Sequence, residues 1–113
     1  MIWQKGIKIV KKIYVLAEKF SIEEKFLMIS QITIAAVSIP TNIGEGSSRN
    51  SDKDYARFLQ LSLGSAFEVQ TYLILSKEMN WVKIEDLSDL ELLLEEEIKM
   101  IHRFINTITA AKS

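Results

Sequence analysis

"SIPTNIGEGSSRNSDKDY", residues 38–55, decides the fold. It holds the chain's single proline, Pro40, and two of its four glycines, Gly44 and Gly46. Its Gly-x-Gly-x-x-Arg spacing stands one residue from a dinucleotide-binding fingerprint. That fingerprint needs a strand before the glycines and a helix opening at them. Here Ile32, Ala36, Ile39 and Ile43 precede the glycines at spacings of three and four, the helical period. Arg49 replaces the third small residue, and the Gly-Lys-Ser/Thr of a Walker loop is absent. The stretch therefore reads as a corner between two helices. Pro40 removes a helix hydrogen bond and presses on the Ala36 carbonyl, so a bend is expected there. Ala35, Ala36 and Ser38 are small enough for a close neighbour. Gly44 and Gly46 weaken the last turns, on which Asn42 and Glu45 sit.

Outward from this corner the chain reads as helix in both directions. Ser21-Ile-Glu-Glu24 is a capping box that opens the second helix. It continues through Phe26, Leu27, Ile32, Ala36, Ile39 and Ile43. Before it, residues 2–19 form a first helix with Ile2, Ile9, Ile13, Leu16 and Phe20 near one stripe. Trp3, Ile7, Val10, Tyr14 and Ala17 form a neighbouring stripe. Ser51-Asp-Lys-Asp54 is a weaker capping signal for the third helix. That helix runs through Tyr55, Phe58, Leu59, Ser62, Ala66, Val69 and Leu73 to Met79-Asn80. The fourth begins near Glu85, with Leu87, Leu90, Leu94, Ile98, Ile101, Ile105 and Ile108 as a heptad-like seam. No segment alternates apolar and polar residues over strand lengths. The expected fold is all-α: one domain, residues 1–113, an antiparallel up-down-up-down four-helix bundle kinked at Pro40.

Composition narrows the chemistry. With 113 residues the chain can bury one modest core. It has no cysteine, which excludes disulfides, a cysteine nucleophile and a thiolate zinc site. Its one histidine, His102, excludes a two-histidine metal site within one chain. Lys99 stands three residues before His102, so the Glu-x-x-His pair of a di-iron bundle is missing. His102 reads as an interface histidine rather than a base. No enzyme activity, cofactor, metal or small-molecule substrate is expected. No run approaches the roughly 18 apolar residues of a membrane helix, and a cytoplasmic location is expected.

Helices 1 and 3 are richer in apolar residues than one seam requires. Leu61, Leu63, Phe67, Tyr72, Ile74 and Leu75 fall outside the helix 3 stripe, which predicts a second partner for that helix. Gly64-Ser65 in mid-helix costs about 1 kcal/mol relative to alanine, and close approach of another backbone is the usual reason for such a glycine. Glu68 lies one turn on, in reach of such a partner.

"AAVSIPTNIGEGSSRNSDKDYARFLQLSLGSAFEVQTYL" resembles the four-helix-bundle proteins named for reading frames within intervening sequences of bacterial 23S ribosomal RNA genes. The run Ser-Ile-Pro-x-Asn-Ile-x-Glu-Gly, the aromatic start of helix 3 and Gly-Ser-x-x-Glu carry the resemblance. It places Pro40, Asn42, Glu45, Gly46, Gly64, Ser65 and Glu68 in the family's packing motif. It is specific over residues 31–75 and looser towards Trp3-Gln-Lys5. It implies bundles assembled into rings, usually homo-pentamers. A related branch, accompanying the reverse transcriptases of diversity-generating retroelements, implies a basic nucleic-acid-binding accessory. This chain departs from the pattern where Ile-Thr-Ile follows Gln31 and where Gly44 stands for alanine.

Formal net charge is −1, yet the charges are unevenly spread. Residues 85–97 hold seven acids and no base, and residues 5–12 hold four lysines and no acid. An up-down bundle gathers Lys5, Lys8, Arg49, Lys53, Arg57, Arg103 and Lys112 at one pole. Glu23, Glu24, Glu78 and the acidic start of helix 4 gather at the other. Acids at a helix start and bases at a helix end complement the helix dipole. Lys5, Lys8, Lys53 and Arg57 lie near helix starts and are left over. RNA or DNA held at the helix 2–3 corner is one expected role; a protein-binding or structural oligomer without nucleic acid is the alternative.

Overall fold

The computed structural model describes residues 1–20 and 22–110, and of residues 22–25 the backbone only. Four helices make up the described chain: α1 (Ile2–Ala17), α2 (Ile22–Ser47), α3 (Asp52–Glu78) and α4 (Ile84–Ala110). The body measures 49 × 20 × 19 Å. Contact pairs descend one helix as they ascend the next. Trp3 lies beside Gly44 and Gly6 beside Pro40. Ser38 meets Ser65, and Gly46 meets Phe58. Tyr55 packs on Phe104 while Lys77 reaches Glu91. Lys5 pairs with Glu96, and Lys19 with Asp86.

The helix boundaries follow local chemistry. The Ser51 side chain accepts a hydrogen bond from the Asp54 amide at 3.1 Å, capping α3, with Asp52 and Asp54 in the first turn where the dipole favours acids. At the other end Asn80 takes φ 59°, a left-handed turn that asparagine tolerates better than most residues. The Trp81 amide then donates to the Ser76 carbonyl and the Asn80 amide to Lys77, closing the helix end. The capping box at Ser21–Glu24 lies outside the described residues.

Each helix packs against two others, α2 and α4 flanking both α1 and α3. The buried arc is therefore wider than one stripe. Leu59, Ser62, Leu63, Ala66, Val69 and Leu73 of α3 are all buried, so Leu63 joins the core, contrary to the single-stripe expectation. Leu61, Phe67, Ile74 and Leu75 remain exposed, as do Phe26 and Leu27, which the periodicity had placed in the seam. Along α4 the seam from Leu87 to Ile105 is buried, and Ile108 is partly so.

Pro40 lies buried inside a helix that runs on to Ser47. Side chains supply extra donors to the carbonyls around it. Thr41 Oγ1 donates to Val37 O at 2.8 Å, Asn42 Nδ2 to Ser38 O at 2.9 Å, and the buried Ser62 Oγ to Ile39 O at 2.9 Å. Contrary to the expectation from uninterrupted apolar runs, Phe26–Ser47 is long and apolar enough to cross a membrane by length and composition. In the bundle, Ile32, Ala35, Ala36, Ile39 and Ile43 of this stretch form its share of the core.

Candidate nucleic-acid interface

The α2–α3 corner is built around Gly46. A Cβ there would lie 2.8 Å from both Phe58 Cβ and Tyr55 Cδ1, too close for any side chain. The bare glycine lets the last turn of α2 rest on the first two turns of α3. Arg49 Nη2 reaches back to Glu45 Oε2 at 2.8 Å, and its guanidinium lies 4.6 Å from the Phe58 ring centroid. Arg57 sits 4.5 Å from the same centroid and 3.6 Å from Asp54. Two cations thus share one aromatic ring, an attraction of about 0.5–1 kcal/mol at exposed sites.

The six described cations of the expected basic pole divide evenly. Lys5, Arg49 and Arg57 have acid partners: Glu96 at 3.0 Å, Glu45 and Asp54. Lys8, Lys53 and Arg103 are exposed and pair with no described acid. Lys112 lies outside the described residues. The start of α1, the start of α3 and the end of α4 converge. Met1, Ile2, Tyr55, Arg103 and Phe104 line one open groove, and Lys53 lines another with Ile108. Glu45, Asp52, Asp54 and Glu96 share this end, so it is mixed in sign. At the far end, Glu85, Asp86 and Asp89 face Lys11, Lys12 and Lys19 across a groove. The charge separation is weaker than sequence alone suggests, because long lysines of α1 neutralise the start of α4.

The remaining motif residues serve in several ways. Asn42 and Ser65 make hydrogen bonds, Ser65 sharing one of 2.7 Å with Ser38. Glu68 is exposed and accepts from Tyr72 Oη at 3.4 Å. Burial, then the charge and hydrogen bond of Glu68, push the Tyr72 phenol above its usual range. Burial alone does the same for Tyr55. A Cβ on Gly64 would meet nothing within 4 Å. His102 is exposed, its ring edge-on to Phe67 at 6.5 Å, rather than set in a seam of the bundle. Among the described residues no cluster of three or more His, Asp or Glu side chains could hold a metal.

Sequence reasoning missed Glu97. It belongs to the acidic run of residues 85–97, read there as charge complementing the helix dipole, yet it is 0 % exposed. Helical phase carried the signal: Glu97 follows Leu93 and precedes Ile101 by four residues on the buried face. Neither carboxyl oxygen finds a hydrogen-bond partner among the described residues. Burial pushes its pKa up to about 8, while Lys5 and the amino group of Met1 pull it down.

A profile of the 23S rRNA-intervening sequence protein family matches residues 1–103. The chain belongs to this family. No curated protein matches it. Among solved structures, it is similar to a protein with unknown function from the S23 ribosomal protein family of Bacteroides thetaiotaomicron VPI-5482. That likeness has a TM-score of 0.86 at 24% identity, covering 93% of this chain and 98% of that one. It establishes the shared all-helical fold of the family member and this neighbour.

Proposed function

We propose that this family member is a non-catalytic, self-associating bundle whose basic pole holds RNA or DNA. The observation that carries the nucleic-acid reading is the set of exposed cations that pair with no described acid, Lys8, Lys53 and Arg103, together with the Arg49–Phe58–Arg57 cluster. Cations with no acid partner can neutralise phosphates without giving up an internal pair, and each neutralised phosphate releases counterions. A ring would set the poles of all copies on one side and strengthen the field. Self-association is supported by the exposed apolar residues Ile34, Val37, Leu61 and Leu75 and by Gly64, which no neighbour in its own chain covers. The ring, pentameric by family resemblance, would act in the cytoplasm.

A titration of labelled structured RNA and duplex DNA at low and moderate salt tests this reading, with mass measured by light scattering on the same sample. Salt-sensitive binding by an oligomer is expected, and Lys53→Glu with Arg103→Glu should weaken it and flatten its salt slope. An intact oligomer that binds neither at low salt contradicts it. That outcome favours a second reading, a protein-binding scaffold, which the internal pairing of Lys5, Arg49 and Arg57 already supports.

A further inference from the structure

Among the described residues, Glu97 is the one charged side chain that is fully buried. The other buried polar side chains, Ser62 and Ser76, donate to the carbonyls of Ile39 and Tyr72. Glu97 has no such partner. On α1, Gly6 makes room for it: a Cβ there would lie 3.2 Å from Glu97 Oε2 and 3.2 Å from Pro40 Cβ. Beside Gly6, Lys5 Nζ lies 3.0 Å from Glu96 Oε1, with the lysine side chain 22% exposed. The charged groups acting on Glu97 from α1 are Lys5 and the amino group of Met1. On α2 the facing residue is Pro40, flanked by the buried Ile39 and Ile43, and none can ionise. The buried residues of α3, Leu59, Ser62, Leu63 and Ala66, carry no charge. On α4 itself the adjacent ionisable group is Glu96, which holds Lys5.

We propose that the proton on Glu97 decides which acid Lys5 holds, and thereby how the first turns of α1 seat against α4. With the proton on, a neutral carboxyl sits dry against Gly6 while Lys5 pairs with Glu96. With the proton off, a carboxylate in that place needs a cation. Lys5 already acts on it, and its present pair is half open to water, where such pairs contribute little. Lys5 therefore exchanges Glu96 for Glu97, and the start of α1 moves with it. Trp3, two residues before Lys5 and packed beside Gly44, reports the movement. The exchange is centred at about pH 8, where burial has moved the carboxyl.

The test is an NMR titration of the whole protein from pH 5 to 10, following the Glu97 carboxyl carbon and the Trp3 indole N–H. Both are expected to change with one midpoint at about pH 8. Glu97→Gln should erase the Trp3 transition. Lys5→Met should raise the midpoint, and Glu96→Gln, which frees Lys5, should lower it, each by roughly one unit, the size of a neighbouring-charge effect. A Trp3 transition that survives in Glu97→Gln overturns the proposal. So does a Glu97 titration that leaves Trp3 unmoved. If Glu97→Gln does not fold, the opposed shifts in Lys5→Met and Glu96→Gln decide, and identical midpoints in both reject it.

Discussion

Gly6 and Gly64 are both single glycines inside long helices, and each weakens its helix by about 1 kcal/mol relative to alanine. The chain accounts for the first and not the second. Around Gly6, the Glu97 carboxyl and the Pro40 ring close in to 3.2 Å of where a Cβ would be. Around Gly64 the corresponding space is empty to 4 Å. One glycine is explained by packing within a single copy; the other lies on an open face, which the proposed self-association would cover. Gly46 extends the first case, since Phe58 and Tyr55 approach its missing Cβ to 2.8 Å. The closed site is thus tied to folding, and the open one is where the proposed association can be tested.

The largest test of the closed site is its pH dependence. Glu97 in the folded chain titrates at about 8, against 4.5 ordinarily. Between those values the folded state keeps a proton that the unfolded state has lost. Stability contributed by Glu97 is therefore full below about pH 4.5 and falls as pH rises to about 8, then levels off. The expected loss is about 1.4 kcal/mol per pH unit at its steepest. Urea unfolding at several pH values should show Glu97→Gln with a flatter profile than wild type, and equal slopes would contradict a buried Glu97 that keeps its proton. Next in size, Gly46→Ala should lose about 1–3 kcal/mol in the same assay, although alanine is the better helix former. Gly6→Ala should cost less, on the order of 1 kcal/mol, because a gap of 3.2 Å lets the neighbours yield by a few tenths of an ångström. The smallest effect has the opposite sign. Gly64→Ala should stabilise the isolated chain by up to about 1 kcal/mol, while lowering the mass seen by light scattering.

The four helices were legible in the sequence because their signals agree. Along α3 the three-and-four apolar spacing runs between the Ser51 cap at its start and the Asn80 turn at its end. The corner was legible as well, since a helix before Gly44 and Gly46 leaves no phosphate loop. Burial at the edges was not. Leu63 is buried because α3 touches two neighbours, a fact of the assembled bundle rather than of one helical stripe. Topology foreshadowed that Lys53 and Arg103 lie where the starts of α1 and α3 meet the end of α4. It did not foreshadow that Lys5 is held by Glu96, 91 residues away. Glu97 was hidden in plain phase: its position pointed inward, while its charge and its acidic neighbours pointed outward.

The most direct measurement is the mass of the protein in solution, wild type beside Gly64→Lys. The lysine keeps the helix, can pair with Glu68 one turn on, and obstructs the open face. The expected wild-type mass is a multiple of 13.0 kDa, five-fold for the ring that the family resemblance implies. The Gly64→Lys protein is expected to have a lower mass with unchanged helical circular dichroism. A wild-type protein of 13.0 kDa at micromolar concentration would contradict self-association, and Gly64 would then be only a weak point in α3.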